Sequence, residues 1–147
     1  TTAAPPVTTD VPDTTAAPAT APPDTTPPTT EFVPPDHPYV RMIAVTIDGD
    51  KYVAEYEVYN YVPQIDGGPE SLHVHLFLDD VESINAGVNG PSPGLWDITD
   101  HPTTFRTSVG PAEAVARDAF QMCALVARVD HTHLDHTADT CVPLPDR

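Results

Sequence analysis

Seven histidines carry most of the chemistry this chain can offer: His37, His73, His75, His101, His131, His133 and His136. His73 and His75 stand two residues apart in SLHVHLFLDD over 71–80. There Leu72, Val74, Leu76 and Leu78 alternate with His73, His75 and Phe77, which is the period of a β-strand with one buried face. Both imidazoles therefore project to one side, where they can share one small metal ion. Nitrogen donors suit copper or zinc. Such a site needs a third and fourth ligand. His101, or one of His131, His133 and His136 from the tract HTHLDH over 131–136, are candidates if their loops fold over the same face, and Asp79 lies two strand steps past His75. Two plainer readings stand beside this one. His73 and His75 can be the wetter face of an edge strand, packed on neighbours such as Phe77, and the 131–136 tract can be a solvated hairpin tip that binds Cu or Zn weakly if at all.

Other chemistry is poorly represented, and no catalytic residues are assigned. Ser71, Ser83, Ser92 and Ser108 lack the context of an activated nucleophile. The pairs Asp79-Asp80 and Glu55/Glu57 read as solvated faces. No glycine loop is placed to cradle a phosphate, and Asp48-Gly49-Asp50 lacks the remaining ligands of a calcium loop. The chain reads as a non-enzyme. Cys123 and Cys141 form an even pair, which outside the cytoplasm points to one disulfide. If 119–129 and 137–144 make a hairpin, its midpoint falls at residue 132 and the two cysteines face each other.

The elements that must position these groups are short strands. Tyr39–Asp48 is apolar on both sides, as a central or well-covered strand would be. Asp48-Gly49-Asp50 turns it into a second strand over 51–62, with Tyr52, Ala54, Tyr56 and Val58 on one face. The histidine strand over 71–79 follows. A Gly/Pro-rich loop over 80–94 has room for a helical turn at 81–86. Short strands follow at 95–98, with Trp96 as a core anchor, and at 103–109, with Phe105 inward. Residues 112–118 suit one or two helical turns, and 119–129 is the second long strand. The pattern predicts an all-β domain of six to eight strands, an immunoglobulin-like sandwich or a partly open Greek-key barrel.

Of residues 1 to 30, 25 are Thr, Pro or Ala, with no aromatic and no basic residue. Such a segment buries too little apolar surface to offset its ordering entropy. The expected organisation is a disordered Thr/Pro/Ala-rich linker over 1–36 and a β-sandwich domain over 37–147. The formal net charge is −16, and from residue 37 onward 17 acids face 6 bases. This argues against nucleic acid and against anionic membrane surfaces, both of which call for basic patches. No apolar run reaches the roughly 18 residues of a membrane span. A stalk of this kind before a compact domain suggests a protein secreted from, or tethered to the outside of, a bacterial cell. A lipoprotein anchor upstream of Thr1 would fit that arrangement.

Two resemblances can be read from the residues. His73-Val74-His75 followed by Leu76-Phe77 resembles the copper strand of Cu/Zn superoxide dismutases, which implies His73 and His75 as copper ligands on a β-barrel. The closely spaced His and Asp zinc loop of that family does not follow, since the next histidine is His101. A broader likeness runs from 70 to 145: LHVHLFLD, NAGVNGPSPGLWDI, PTTF, FQMCALVARVDH and TCVPLP. It is similar to a group of uncharacterised secreted bacterial proteins with an H-x-H-F strand, a Q-M-C-x-L-V-A strand and a terminal C-x-x-L-P, and implies fold and location rather than activity. The functional expectation is an extracytoplasmic, monomeric binding module with Cu or Zn at His73 and His75. The competing expectation is a metal-free surface domain for a protein or glycan partner, with Tyr59 and Tyr61 as an exposed aromatic patch. A dismutase-like redox enzyme is the third.

Overall fold

The computed structural model describes residues 32–87, 94–134 and 140–145. Residues 1–31 of the expected linker, the 88–93 tract with Ser92, and His136 lie outside the described residues. Residues from Val33 to Arg147 make one compact unit. Its elements are β1 (Tyr39–Asp48), β2 (Lys51–Tyr59), β3 (Leu72–Leu78), a 3-10 turn at Ser83–Asn85, β4 (Trp96–Thr99), β5 (Thr104–Arg106), a short helix α1 (Pro111–Arg117), β6 (Gln121–Arg128) and β7 (Cys141–Pro143). All strand pairs are antiparallel. They form a three-stranded sheet in the order β1-β2-β5 and a four-stranded sheet in the order β4-β3-β6-β7. The fold is an all-β sandwich, and the described strands do not close into a barrel.

The core between the sheets follows from alternation. Tyr52, Ala54 and Tyr56 of β2 are buried, as the period-2 pattern predicts. Val74, Leu76 and Leu78 of β3 meet them from the other sheet, with Met122, Ala124 and Val126 of β6 beside them. β1 corrects the sequence reading: it is an edge strand of the three-stranded sheet, not a central one. Its apolar residues on both sides reflect a β-bulge. The register slips between Met42 and Ala44, leaving Ile43 39% exposed. Val40 and Met42 before the bulge, and Val45 after it, therefore face the same core, because one extra residue inverts the alternation.

β3 carries the second correction. It lies between β4 and β6, and six of its seven residues are buried. It has no wet face. His73 and His75 are 1% and 0% exposed, so the reading of them as a wetter edge surface does not hold. A second apolar cluster covers the outer side of this sheet, made of Phe77, Ala86, Cys123, Leu125 and Ala127, with Val81, Trp96 and Cys141 packed against it.

Candidate metal centre

His73 and His75 leave β3 on that outer side, opposite Ala127 and Leu125 of β6. Their Nε2 atoms lie 2.9 Å apart. His131 comes from the tip that follows β6, and its Nδ1 lies 3.2 Å from His75 Nε2. One ligating atom from each of the three residues falls within 4.8 Å of the others. Among the described residues no fourth His, Cys, Asp or Glu joins them.

Local sequence explains each placement. The tip turns at Val129-Asp130, where the His131 N–H donates to Arg128 O at 2.8 Å. His131 adopts φ 63°, the left-handed region that histidine visits more readily than most residues. Asp130 stiffens the turn by accepting the Thr132 N–H at 3.0 Å and its hydroxyl at 2.7 Å. On the other side, 79–87 folds back over β3. The Asp79 N–H donates to Gln121 O, the Asp79 carboxylate accepts the Phe120 N–H, and the 3-10 turn brings Ala86 to full burial. Asp79 is thus engaged with the β6 approach rather than with the histidines.

Hydrogen bonding selects the protonation state. His75 Nδ1 lies 3.1 Å from Ala86 O, an acceptor only, so Nδ1 carries the hydrogen and Nε2 a bare lone pair. Burial, opposed by that hydrogen bond and aided by the neighbouring histidines, pushes the His75 pKa down to about 3. Burial, with His131 beside it, also lowers that of His73. Both rings are therefore neutral at pH 7, the state a metal ligand requires. His75 Nε2 has one lone pair, and two nitrogens, from His73 and His131, approach it. A single hydrogen bond satisfies only one of them, and His73 Nδ1 is buried without a partner among the described residues. A cation between His73 Nε2, His75 Nε2 and His131 Nδ1 would serve those three nitrogens, though not His73 Nδ1. A tetrahedral ion with bonds of about 2.0–2.1 Å holds its nitrogens about 3.3 Å apart, within a few tenths of an ångström of the two short separations here.

Trp96 stacks on His75 with centroids 4.9 Å apart and meets His131 edge-on at 5.2 Å. Gly87, at φ 82°, lies close to the His75 and Trp96 rings, where a Cβ would fall 2.4 Å from His75 Nδ1 and 3.1 Å from Trp96 Cδ2. His133 directs Nε2 to Ala86 O at 2.8 Å, beside the trio. His101 is elsewhere: it is exposed, its ring lies near Phe105, and its carbonyl accepts the Tyr56 hydroxyl. His136 lies outside the described residues. Sequence reasoning missed Ala86 and Gly87, whose contribution is a carbonyl and an absent side chain. It read Trp96 as a core anchor, although half of its role is to wall this site.

The remaining expectations divide. Cys123 and Cys141 are joined by a disulfide and pair directly across β6 and β7. Tyr59 and Tyr61 do not form an exposed aromatic patch. Tyr59 is half-buried, with its ring near Tyr39 and its hydroxyl on Glu57, and Tyr61 packs against the main core. No helix among the described residues is long and apolar enough to cross a membrane. No family model matches the chain, and no curated protein or solved structure matches it either.

Proposed function

We propose that this domain is an extracytoplasmic, non-catalytic binding module that holds one copper or zinc ion through His73, His75 and His131. The observation that carries the reading is the convergence of three imidazole nitrogens on one point, with the His75 tautomer set by Ala86 O. An all-nitrogen donor set suits Cu and Zn over Mg or Ca, which take oxygen. Three protein ligands leave a position for water or an exchanging donor. The Cys123–Cys141 disulfide supports an oxidising compartment outside the cytoplasm. The acidic composition favours an encounter with cations and opposes nucleic acid as a partner.

Calorimetric titration of the chain with Cu(II) and with Zn(II) tests this, beside His73→Ala/His75→Ala and His131→Ala. The expected result is one ion per chain, with affinity lowered at least about 100-fold in the double variant, since each change removes a ligand. Binding that is absent, or indifferent to all three substitutions, sinks the proposal and leaves a metal-free surface domain as the reading.

A further inference from the structure

His133 repeats on the tip the two-residue spacing that His73 and His75 have on β3. Thr132 between them is exposed and tied back to Asp130, while both flanking imidazoles turn to the sheet. Their chemistry differs. His133 Nε2 lies 2.8 Å from Ala86 O. A carbonyl oxygen only accepts, so this nitrogen carries hydrogen and cannot bind a cation while the bond stands. The same oxygen accepts the Nδ1–H of His75 at 3.1 Å. One buried carbonyl with two lone pairs thus joins three pieces of chain: the 79–87 segment, β3 and the tip after β6.

Backbone pairing sets the register of the tip on β6, with the Arg128 N–H donating to Thr132 O at 2.9 Å. Ala127 and His133 form an isolated bridge, and Leu134 N–H donates to Val126 O. The His133–Ala86 bond is the side-chain contact that ties the tip to the 79–87 segment, beside the His131 contact to β3.

Resting on the reading of His73, His75 and His131 as ligands, we infer that His133 is a positioning residue of the centre: its Nε2–H pins the tip to Ala86 O, which sets His131 Nδ1 opposite the two β3 nitrogens and steadies the acceptor that fixes the His75 tautomer. Metal-bound histidines are commonly held this way by a hydrogen bond on their second nitrogen. Here one carbonyl serves a ligand and the clamp of another ligand together.

The test is competitive titration of the full chain with Zn(II) and Cu(II) against a chromophoric chelator, for the native protein, His133→Ala, His133→Gln and His131→Ala. Paramagnetic resonance of the Cu(II) forms counts the bound imidazoles, and thermal melts confirm folding. His133→Ala should weaken binding about 10–100-fold with stoichiometry and imidazole count unchanged. His133→Gln, whose amide N–H can reach the same carbonyl, should recover most of that loss. His131→Ala should lower the imidazole count by one. Native affinity in His133→Ala overturns the inference, as does a reduced imidazole count in that variant, which would make His133 a ligand. A folded His133→Gln no better than the alanine variant overturns it too. These results leave the metal reading standing, whereas a native chain that binds neither ion overturns both.

Discussion

The two faces of the β4-β3-β6-β7 sheet are equally buried and chemically opposite. On the inner face, Val74, Leu76 and Leu78 lie beside Met122, Ala124 and Val126 in an apolar core that also holds Tyr52 and Tyr56. On the outer face, His73, His75 and Phe77 meet Ala127, Leu125 and Cys123 under a cover of loop and hairpin tip. The first face follows from hydrophobic alternation alone. The second buries polar groups, which is costly unless they are bonded. Its polar groups are met by Ala86 O and by one another, with Trp96 stacked on His75, and on the proposed reading a cation joins the three nitrogens. Burial therefore separates into a face that holds the sandwich together and a face that holds a site.

That contrast can be broken experimentally, and the largest effect should come from the inner face. Leu76→Ala, at a position 1% exposed, should cost about 2–5 kcal/mol in denaturant unfolding. Metal affinity in the fraction that folds should stay near native. A selective loss of affinity would mean that the two faces are coupled. Opening the disulfide with Cys123→Ser/Cys141→Ser should cost about 3 kcal/mol, given the 18-residue separation it closes. Because the bond lies in the outer cluster, it should also loosen the tip, seen as faster amide exchange at 129–134.

Gly87→Ala sharpens the comparison from the site side. It forces a side chain onto left-handed backbone and into the His75 ring, so a loss of about 1–3 kcal/mol is expected, together with weaker metal binding. Equal affinity in that variant would show that the ring has room to move.

Acid should act on the outer face first. The His75 pKa is depressed in the folded chain, to about 3 from an ordinary 6.5, mainly by burial. The unfolded chain therefore takes up a proton that the folded chain refuses. Stability is fully present above about pH 6.5 and falls below it, by up to about 1.4 kcal/mol per pH unit until the folded ring also protonates near pH 3. Thermal melts of metal-free protein from pH 7.5 to 4 read this slope, and His75→Gln should flatten it. The smallest effect is expected at His101, which is exposed and apart from the trio. His101→Ala should change stability by no more than about 0.5 kcal/mol and leave metal affinity unchanged.

Much of the fold was legible from residues alone. Strand periodicity placed β1, β2, β3 and β6, the Asp48-Gly49-Asp50 turn joined the first two, and the hairpin geometry put Cys123 opposite Cys141. These features are local, or depend on one register, and the side-chain pattern of a strand records which way each residue points. The bulge at Ile43 was not legible, because an apolar run on both sides of a strand reads the same whether the strand is central or kinked.

The pair His73 and His75 was likewise set by sequence, since a spacing of two on a strand puts both rings on one side. The choice among the remaining histidines was made by tertiary structure. His101, His131 and His133 all sit in or beside turns, and nothing in their neighbours says which turn folds over β3. The seating of the tip on His75 and on Ala86 O comes from contacts between residues 56 and 47 positions apart in the chain, and the close approach of Gly87 to His75 from the return of the 79–87 segment over β3. A backbone carbonyl and a missing side chain leave little trace in a residue pattern, because any residue supplies the first and a loop explains the second. The sequence determined that His73 and His75 share one side of the strand. Only the packed sandwich decided that this side is buried, which third imidazole reaches it, and what holds that imidazole in place.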